Sequence, residues 1–234
     1  MHGKTLHGKT RDIIERMMLM KQGAQEILEK LFCNFPDLKT CRPSLERAIE
    51  LLTACYRNGG KVLACGNGGS AADAEHIVGE LMKGFISKRP IEAGVAAGLR
   101  ALYPAEADYL IANLQSALPA IALTSFPLSS AFINDVASDM VFAQQVYGYG
   151  NPGDVLIGLS TSGNSKNVVN ALKIAKLKGM STIGLTGAAP GQFNALCDVT
   201  VNCPAEETYR IQEFHLPVYH ALCAMLEAEF FGAD

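Results

Sequence analysis

The chain of 234 residues predicts an α/β protein, a five-stranded doubly wound parallel sheet preceded by a helical hairpin. Three observations carry that prediction. Short apolar runs alternate with helical patterns, which implies parallel strands with helices on both faces. Hydrophobic residues make up 49% of the chain and charged ones 18%, enough apolar side chains to cover a sheet twice. Two of the apolar runs break into glycine- or serine-rich loops just before a helix, the place where open α/β sheets take ligands.

The elements follow in order. From about 11 to 32, Ile13, Ile14, Met17, Met18, Ala24, Ile27, Leu28 and Leu31 recur at helical spacing. Pro36 and Pro43 bracket a turn. A second helix is expected over 44–57, capped by Ser44 and stopped by Asn58-Gly59-Gly60. Strands are expected at 61–65, 120–124, 154–159, 181–186 and 199–203, and helices at 70–83, about 129–148, 165–178 and 207–230. The stretch 86–118 departs from the alternation and reads as one or two inserted helices. On the ligand-facing side it would be a lid or a subunit contact; elsewhere it is surface decoration. Residues 1–57 thus form a hairpin for oligomerisation, and 58–234 the sheet domain. Met17, Met18, Met20, Leu51 and Leu52 spread apolar surface over more than one hairpin face, which points to packing against copies of the chain.

The most telling stretch is Ser160-Thr161-Ser162-Gly163-Asn164-Ser165, between the strand ending at Leu159 and a helical pattern. Four hydroxyls there cradle an anion, since exposed N–H groups and the helix dipole favour negative charge. With no Lys or Arg inside the loop it is not a P-loop, and it suits the phosphate of a small sugar. The plainer reading is a capped helix, for which one hydroxyl is enough. Gly66-Asn67-Gly68-Gly69-Ser70 repeats the design upstream, its glycines permitting close backbone approach.

His76 and Glu80 lie four apart, on one helix face, where they can bind a metal, share a proton or merely form a surface pair. In the last helix His215 and His220 point to different faces, and Pro217 removes a backbone bond and is expected to bend it. Gln212, Glu213 and His220 interrupt an otherwise apolar pattern.

A net charge of −3 argues against nucleic acid as a partner. No run reaches the roughly eighteen apolar residues of a membrane span, and the N-terminus lacks the apolar core of a signal peptide. The repeated His-Gly-Lys-Thr within residues 1–10 carries no argument. Seven cysteines, odd in number and without a Cys-x-x-Cys pair, read as reduced core residues of a cytoplasmic protein.

Taken together, these segments resemble the sugar isomerase (SIS) domain family, with the flavodoxin-like sheet order of that fold, and within it the phosphoheptose isomerases. The likeness rests on Cys-Gly-Asn-Gly-Gly-Ser at 65–70, Asp-Ala-x-His-x-x-x-Glu at 73–80, Ser-Thr-Ser-Gly-Asn-Ser at 160–165, Arg-Ile-Gln-Glu-x-His at 210–215 with His220, and Asn134-Asp135. It implies interconversion of sedoheptulose 7-phosphate and D-glycero-D-manno-heptose 7-phosphate. Ser70, Ser160, Thr161, Ser162 and Ser165 would bind phosphate, with Asn67, Gly68, Asn134, Asp135 and Gln212 around the substrate. Glu80 and His220 would be the acid/base pair, and His76, Glu80, Gln212 and His220 the ligands of a zinc ion. The resemblance also implies a homotetramer. Along a straight helix Gln212 and His220 stand about 12 Å and roughly 80° apart. They share a metal only if the helix bends, Gln212 frays, or ligands come from two subunits; the last alternative is expected, with His76 and Glu80 facing Gln212 or His220 across a boundary. The alternatives are a non-catalytic sugar-phosphate-binding regulator, which the presence of Glu80 disfavours, and an isomerase of another phosphosugar.

Overall fold

The computed structural model describes residues 20–232. Its sheet has five strands, β1 (Val62–Cys65), β2 (Ala120–Ala122), β3 (Val155–Leu159), β4 (Ser181–Thr186) and β5 (Val199–Asn202), in the order β2-β1-β3-β4-β5. Every neighbouring pair is parallel. Parallel strands need cover on both sides, and the pleat supplies two apolar faces from one run. Val62, Ala64, Val155 and Ile157 enter one core, while Leu63, Cys65 and Leu156 enter the other.

The first core is closed by α1 (Gln22–Asn34), α2 (Arg42–Arg57), α3 (Gly69–Met82) and the last helix. The expected hairpin therefore does not stand apart. Leu28 and Phe32 of α1, and Leu45, Ile49 and Leu52 of α2, are buried with the strand residues. Met20 and Leu51 pack against the same core, whereas Ile13, Ile14, Met17 and Met18 lie outside the described residues. A 3-10 turn (Pro36–Cys41) joins the helices, and α2 begins at Arg42, two residues before the expected Ser44 cap. Pro43 falls in its first turn, where a missing N–H is harmless.

After α3 the chain forms α4 (Ala93–Leu102) and α5 (Ala107–Asn113) before entering β2. This insertion joins the end of α3 to the start of a strand, so it lies at the N-terminal edge of the sheet, away from the ligand edge. Leu118 N–H donates to the Leu81 carbonyl, and Pro90, Val95 and Leu114 line a cavity shared with Gly59 and Gly60, just before β1. At that edge it does not cover the two strand-to-helix loops, while Arg89 within it reaches the Glu80 carbonyl. Val95, Leu102, Tyr109 and Leu114 remain exposed.

The helix expected over 129–148 is two: α6 (Phe126–Asp135) and α7 (Val141–Tyr149), separated by an extended Ala137 and a 3-10 turn (Ser138–Met140). Asn134-Asp135-Val136 and Ser138-Asp139 are poor helix formers that compete for backbone hydrogen bonds. The Asn170 amide donates to the Asp139 carbonyl at 3.0 Å and holds the break. α8 (Lys166–Leu177) and α9 (Gln192–Leu196) follow β3 and β4. The last helix, α10 (Thr208–Phe231), runs unbroken through Pro217. The carbonyl that Pro217 cannot reach belongs to Glu213, which is exposed to solvent.

Candidate active site

The strand order reverses between β1 and β3, and both polar loops leave the C-terminal ends of those two strands. Cys65 pairs with Gly158, so the loops start side by side. This is the crevice where a doubly wound sheet binds ligands. Gly66 has no room for a side chain, because a Cβ would meet the Ser70 carbonyl oxygen at 2.6 Å. Gly68 turns the chain at φ +54°, and α3 starts at the next residue.

In the second loop Ser160 is buried at the strand end, its Oγ 2.9 Å from Ser165 Oγ and 3.4 Å from Ser162 Oγ. Gly163 makes the turn at φ +64°, and the Asn164 N–H donates to Ser162 Oγ. Ser165 stands at the N-cap of α8 without a side-chain cap bond, so the three hydroxyls face one another at a helix N-terminus. Thr161 anchors the loop to β4, its carbonyl accepting from Thr186 Oγ1 at 3.2 Å. The amides of Asn67 and Asn167 exchange hydrogen bonds of 2.9 and 2.8 Å and clamp the loops together.

The second part of the site lies between α3 and α10, which run side by side in the same direction. Gly69 meets Gln212, His76 meets Tyr219 and His220, and Ile77 meets Cys223. His76 Nε2 is 3.2 Å from Glu80 Oε1 and 3.4 Å from His220 Nε2. Lys83 Nζ sits 3.1 Å from Glu80 Oε2. Burial, then neighbouring His76, push the His220 pKa below its ordinary value against the opposing pull of Glu80, so the ring is neutral at pH 7. Burial raises the Asp73 carboxyl, opposed by its bond from Tyr219 and by His76.

The end of α3 is held by Arg89, which has no exposed surface. It donates to the carbonyls of Leu81 (2.8 Å) and Glu80 (3.1 Å) and to Glu227 Oε1 (2.8 Å). Glu227 also accepts from the N–H groups of Phe85, Ile86 and Ser87.

The sequence matches the SIS domain family over residues 37–110 and 105–187. It is 40% identical to a phosphoheptose isomerase of Rhodospirillum rubrum over 82% of this chain and 89% of that one. The match to the phosphoheptose isomerase of Maridesulfovibrio salexigens is 42% over 94% and 92%. The solved phosphoheptose isomerase of Neisseria gonorrhoeae superimposes with a TM-score of 0.64 at 34% identity, covering 96% of this chain and all of that one. This chain belongs to the phosphoheptose isomerase family of SIS-domain proteins.

Of the residues that the family resemblance singles out, the fold brings Asn67, Gly68, Ser70, Ser160, Thr161, Ser162 and Ser165 to one crevice, and His76, Glu80 and His220 to one cluster. His220 reaches His76 within a single chain, so of the two side chains expected to face His76 and Glu80 across a subunit boundary, Gln212 or His220, the second needs no partner copy. Gln212 does not join them. A Cβ on Gly69 would lie 2.5 Å from its Nε2, and Gly69 precedes His76 by two helical turns, about 10 Å. Among the described residues no three His, Cys, Asp or Glu side chains are grouped tightly enough to hold a metal ion. Asn134 and Asp135 are exposed at the end of α6 and bond to each other at 2.7 Å.

His215 is buried, 3.4 Å from the Thr186 carbonyl, and burial lowers its pKa to about 4 in spite of that contact. Sequence reasoning passed over Asn167, Lys83, Tyr219 and the Arg89–Glu227 pair. Only Lys83 left a readable signal, being three residues from Glu80 on one helix.

Proposed function

We propose that this protein is an aldose–ketose isomerase that interconverts sedoheptulose 7-phosphate and D-glycero-D-manno-heptose 7-phosphate. The observation that carries the reading is the joining of Glu80, His76 and His220 in one cluster, on a chain whose sheet reversal holds a serine cradle and whose relatives are phosphoheptose isomerases. The cradle takes the phosphate through hydroxyls and α8 N–H groups. Glu80 accepts the proton from the carbon beside the carbonyl while His220 donates one to the carbonyl oxygen, giving an enediol; His220 then takes back a proton from the neighbouring hydroxyl as Glu80 returns its proton to the other carbon. Lys83 adds positive charge beside the carboxylate.

Zinc is part of the proposal. His76, Glu80 and His220 are the donors of this chain that would hold it, two imidazoles and a carboxylate being zinc-type ligands, and closing around it would need them to draw together. The ion would supply positive charge against the enediolate oxygen. A homotetramer is proposed as well. Ser70 and Glu80 stand ten residues apart on α3, about 15 Å along its axis, which supports sites completed by a second copy. The free cysteines support a cytoplasmic location, and no helix among the described residues is long and apolar enough to cross a membrane.

The test is incubation of the purified protein with a panel of five- to seven-carbon sugar phosphates. Selective conversion of sedoheptulose 7-phosphate is expected. Conversion of a pentose or amino-sugar phosphate instead would overturn the substrate, and no conversion of any would overturn the enzyme. Light scattering that shows a monomer would remove the tetramer.

A further inference from the structure

Behind His76 stands a side-chain chain that the reaction as described does not use. Tyr219 Oη lies 3.0 Å from His76 Nδ1 and 3.2 Å from Asp73 Oδ1, and its ring packs edge-on against His76 with centroids 5.4 Å apart. Tyr219 is itself buried, and Asp73 Oδ2 is buried with no hydrogen-bond partner among the described residues.

The phenol has one proton and two neighbours. Donated to His76 Nδ1, it would leave both Asp73 oxygens without a donor in a partly buried site, which is costly for a carboxylate. Donated to Asp73, it leaves the phenol oxygen free to accept from Nδ1–H, so Asp73 Oδ1, the phenol and the imidazole each have a partner and only Asp73 Oδ2 lacks one. A neutral imidazole with its proton on Nδ1 has a bare Nε2. That atom lies between Glu80 Oε1 at 3.2 Å and His220 Nε2 at 3.4 Å.

We propose that Asp73 and Tyr219 are positioning residues that lock His76 in the Nδ1–H tautomer, aiming the Nε2 lone pair at Glu80 and His220. The inference deepens the isomerase reading of that cluster. Without a metal ion His76 then accepts the His220 N–H and fixes that ring, and it presents a lone pair toward Glu80 where only a proton or a cation is tolerated. Outer carboxylates that orient a histidine in this way usually change function by about ten- to a hundredfold when removed.

The experiment uses the full chain with ¹⁵N-labelled histidine. Ring-nitrogen shifts report the tautomer, with His76 assigned by its loss in His76→Gln. The wild type should show Nδ1–H. Tyr219→Phe keeps the ring but removes the relay, and should mix the tautomers and lower kcat by about ten- to a hundredfold with KM changed less than about twofold. Asp73→Ala should do the same with Tyr219 intact, which covers the case of a Phe variant that does not fold. Asp73→Asn keeps an acceptor oxygen and should restore most of both signals. An unchanged tautomer in both Tyr219→Phe and Asp73→Ala, or an Nε2–H wild type, overturns the inference. A wild type with Nδ1–H but no heptose phosphate turnover would instead strike the isomerase reading and leave this one standing.

Discussion

Replacing Arg89 by Met tests how the end of α3 is held. The apolar stem is kept, but three donors vanish: those to Glu227 at 2.8 Å, to the Leu81 carbonyl at 2.8 Å and to the Glu80 carbonyl at 3.1 Å. Glu227, only 4% exposed, would keep its charge with no cation beside it. Breaking a buried pair from one side typically costs about 3–5 kcal/mol, a large share of the roughly 5–15 kcal/mol that a domain has. Urea unfolding at pH 7 should show that loss, and Arg89→Met with Glu227→Met should recover much of it, because two apolar groups leave no stranded charge. The pH dependence supplies a second check. Burial raises the Glu227 carboxyl, but bonds from Phe85, Ile86, Arg89 and Ser87 outweigh it, so its folded pKa lies below 4.5. Its stabilisation is therefore present above the unfolded value and lost as pH falls through the folded one, and Arg89→Met should weaken that acid-side dependence. A single variant within about 1 kcal/mol of wild type, or a double variant no better than the single, refutes the reasoning.

Ser162→Ala with Ser165→Ala should weaken phosphosugar binding at least about a hundredfold, since each lost bond to a charged group is worth roughly 1.5–3 kcal/mol; unchanged affinity in calorimetry would remove the cradle. Glu80→Gln preserves size but cannot accept a proton, so kcat should fall by about a hundredfold or more while binding survives. Near-normal turnover in that variant would point to another base. His215 binds a proton readily only when unfolded, so stability should be complete above pH 6.5 and decline as pH falls toward the folded value of about 4, by roughly 3 kcal/mol. His215→Phe should flatten that slope in acid unfolding, and a slope left unchanged would assign it to other groups.

Periodicity, loop chemistry and turn residues are local, and they were legible in the sequence without any structure. The five strands, the two strand-to-helix loops and the one-turn spacing of His76 and Glu80 all follow from neighbours along the chain. The break at 136–140 was missed because an apolar pattern continues across it, and only the bond from Asn170 shows where the helix stops. The placement of the 86–118 insertion was left open for another reason. Which edge of a sheet a connection visits depends on the direction of the strands it joins, and that is a property of the sheet as a whole. Likewise, residue spacing cannot say that α3 and α10 run side by side in one direction. That pairing brings His220 to His76 and Tyr219 to Asp73, and it holds Gln212 two turns away at Gly69. The kinds of side chain available for chemistry were therefore set by the sequence itself. Which of them share a proton was decided by tertiary packing, because hydrogen bonds act over about 3 Å and the chain brings residues 144 positions apart to that distance only by folding.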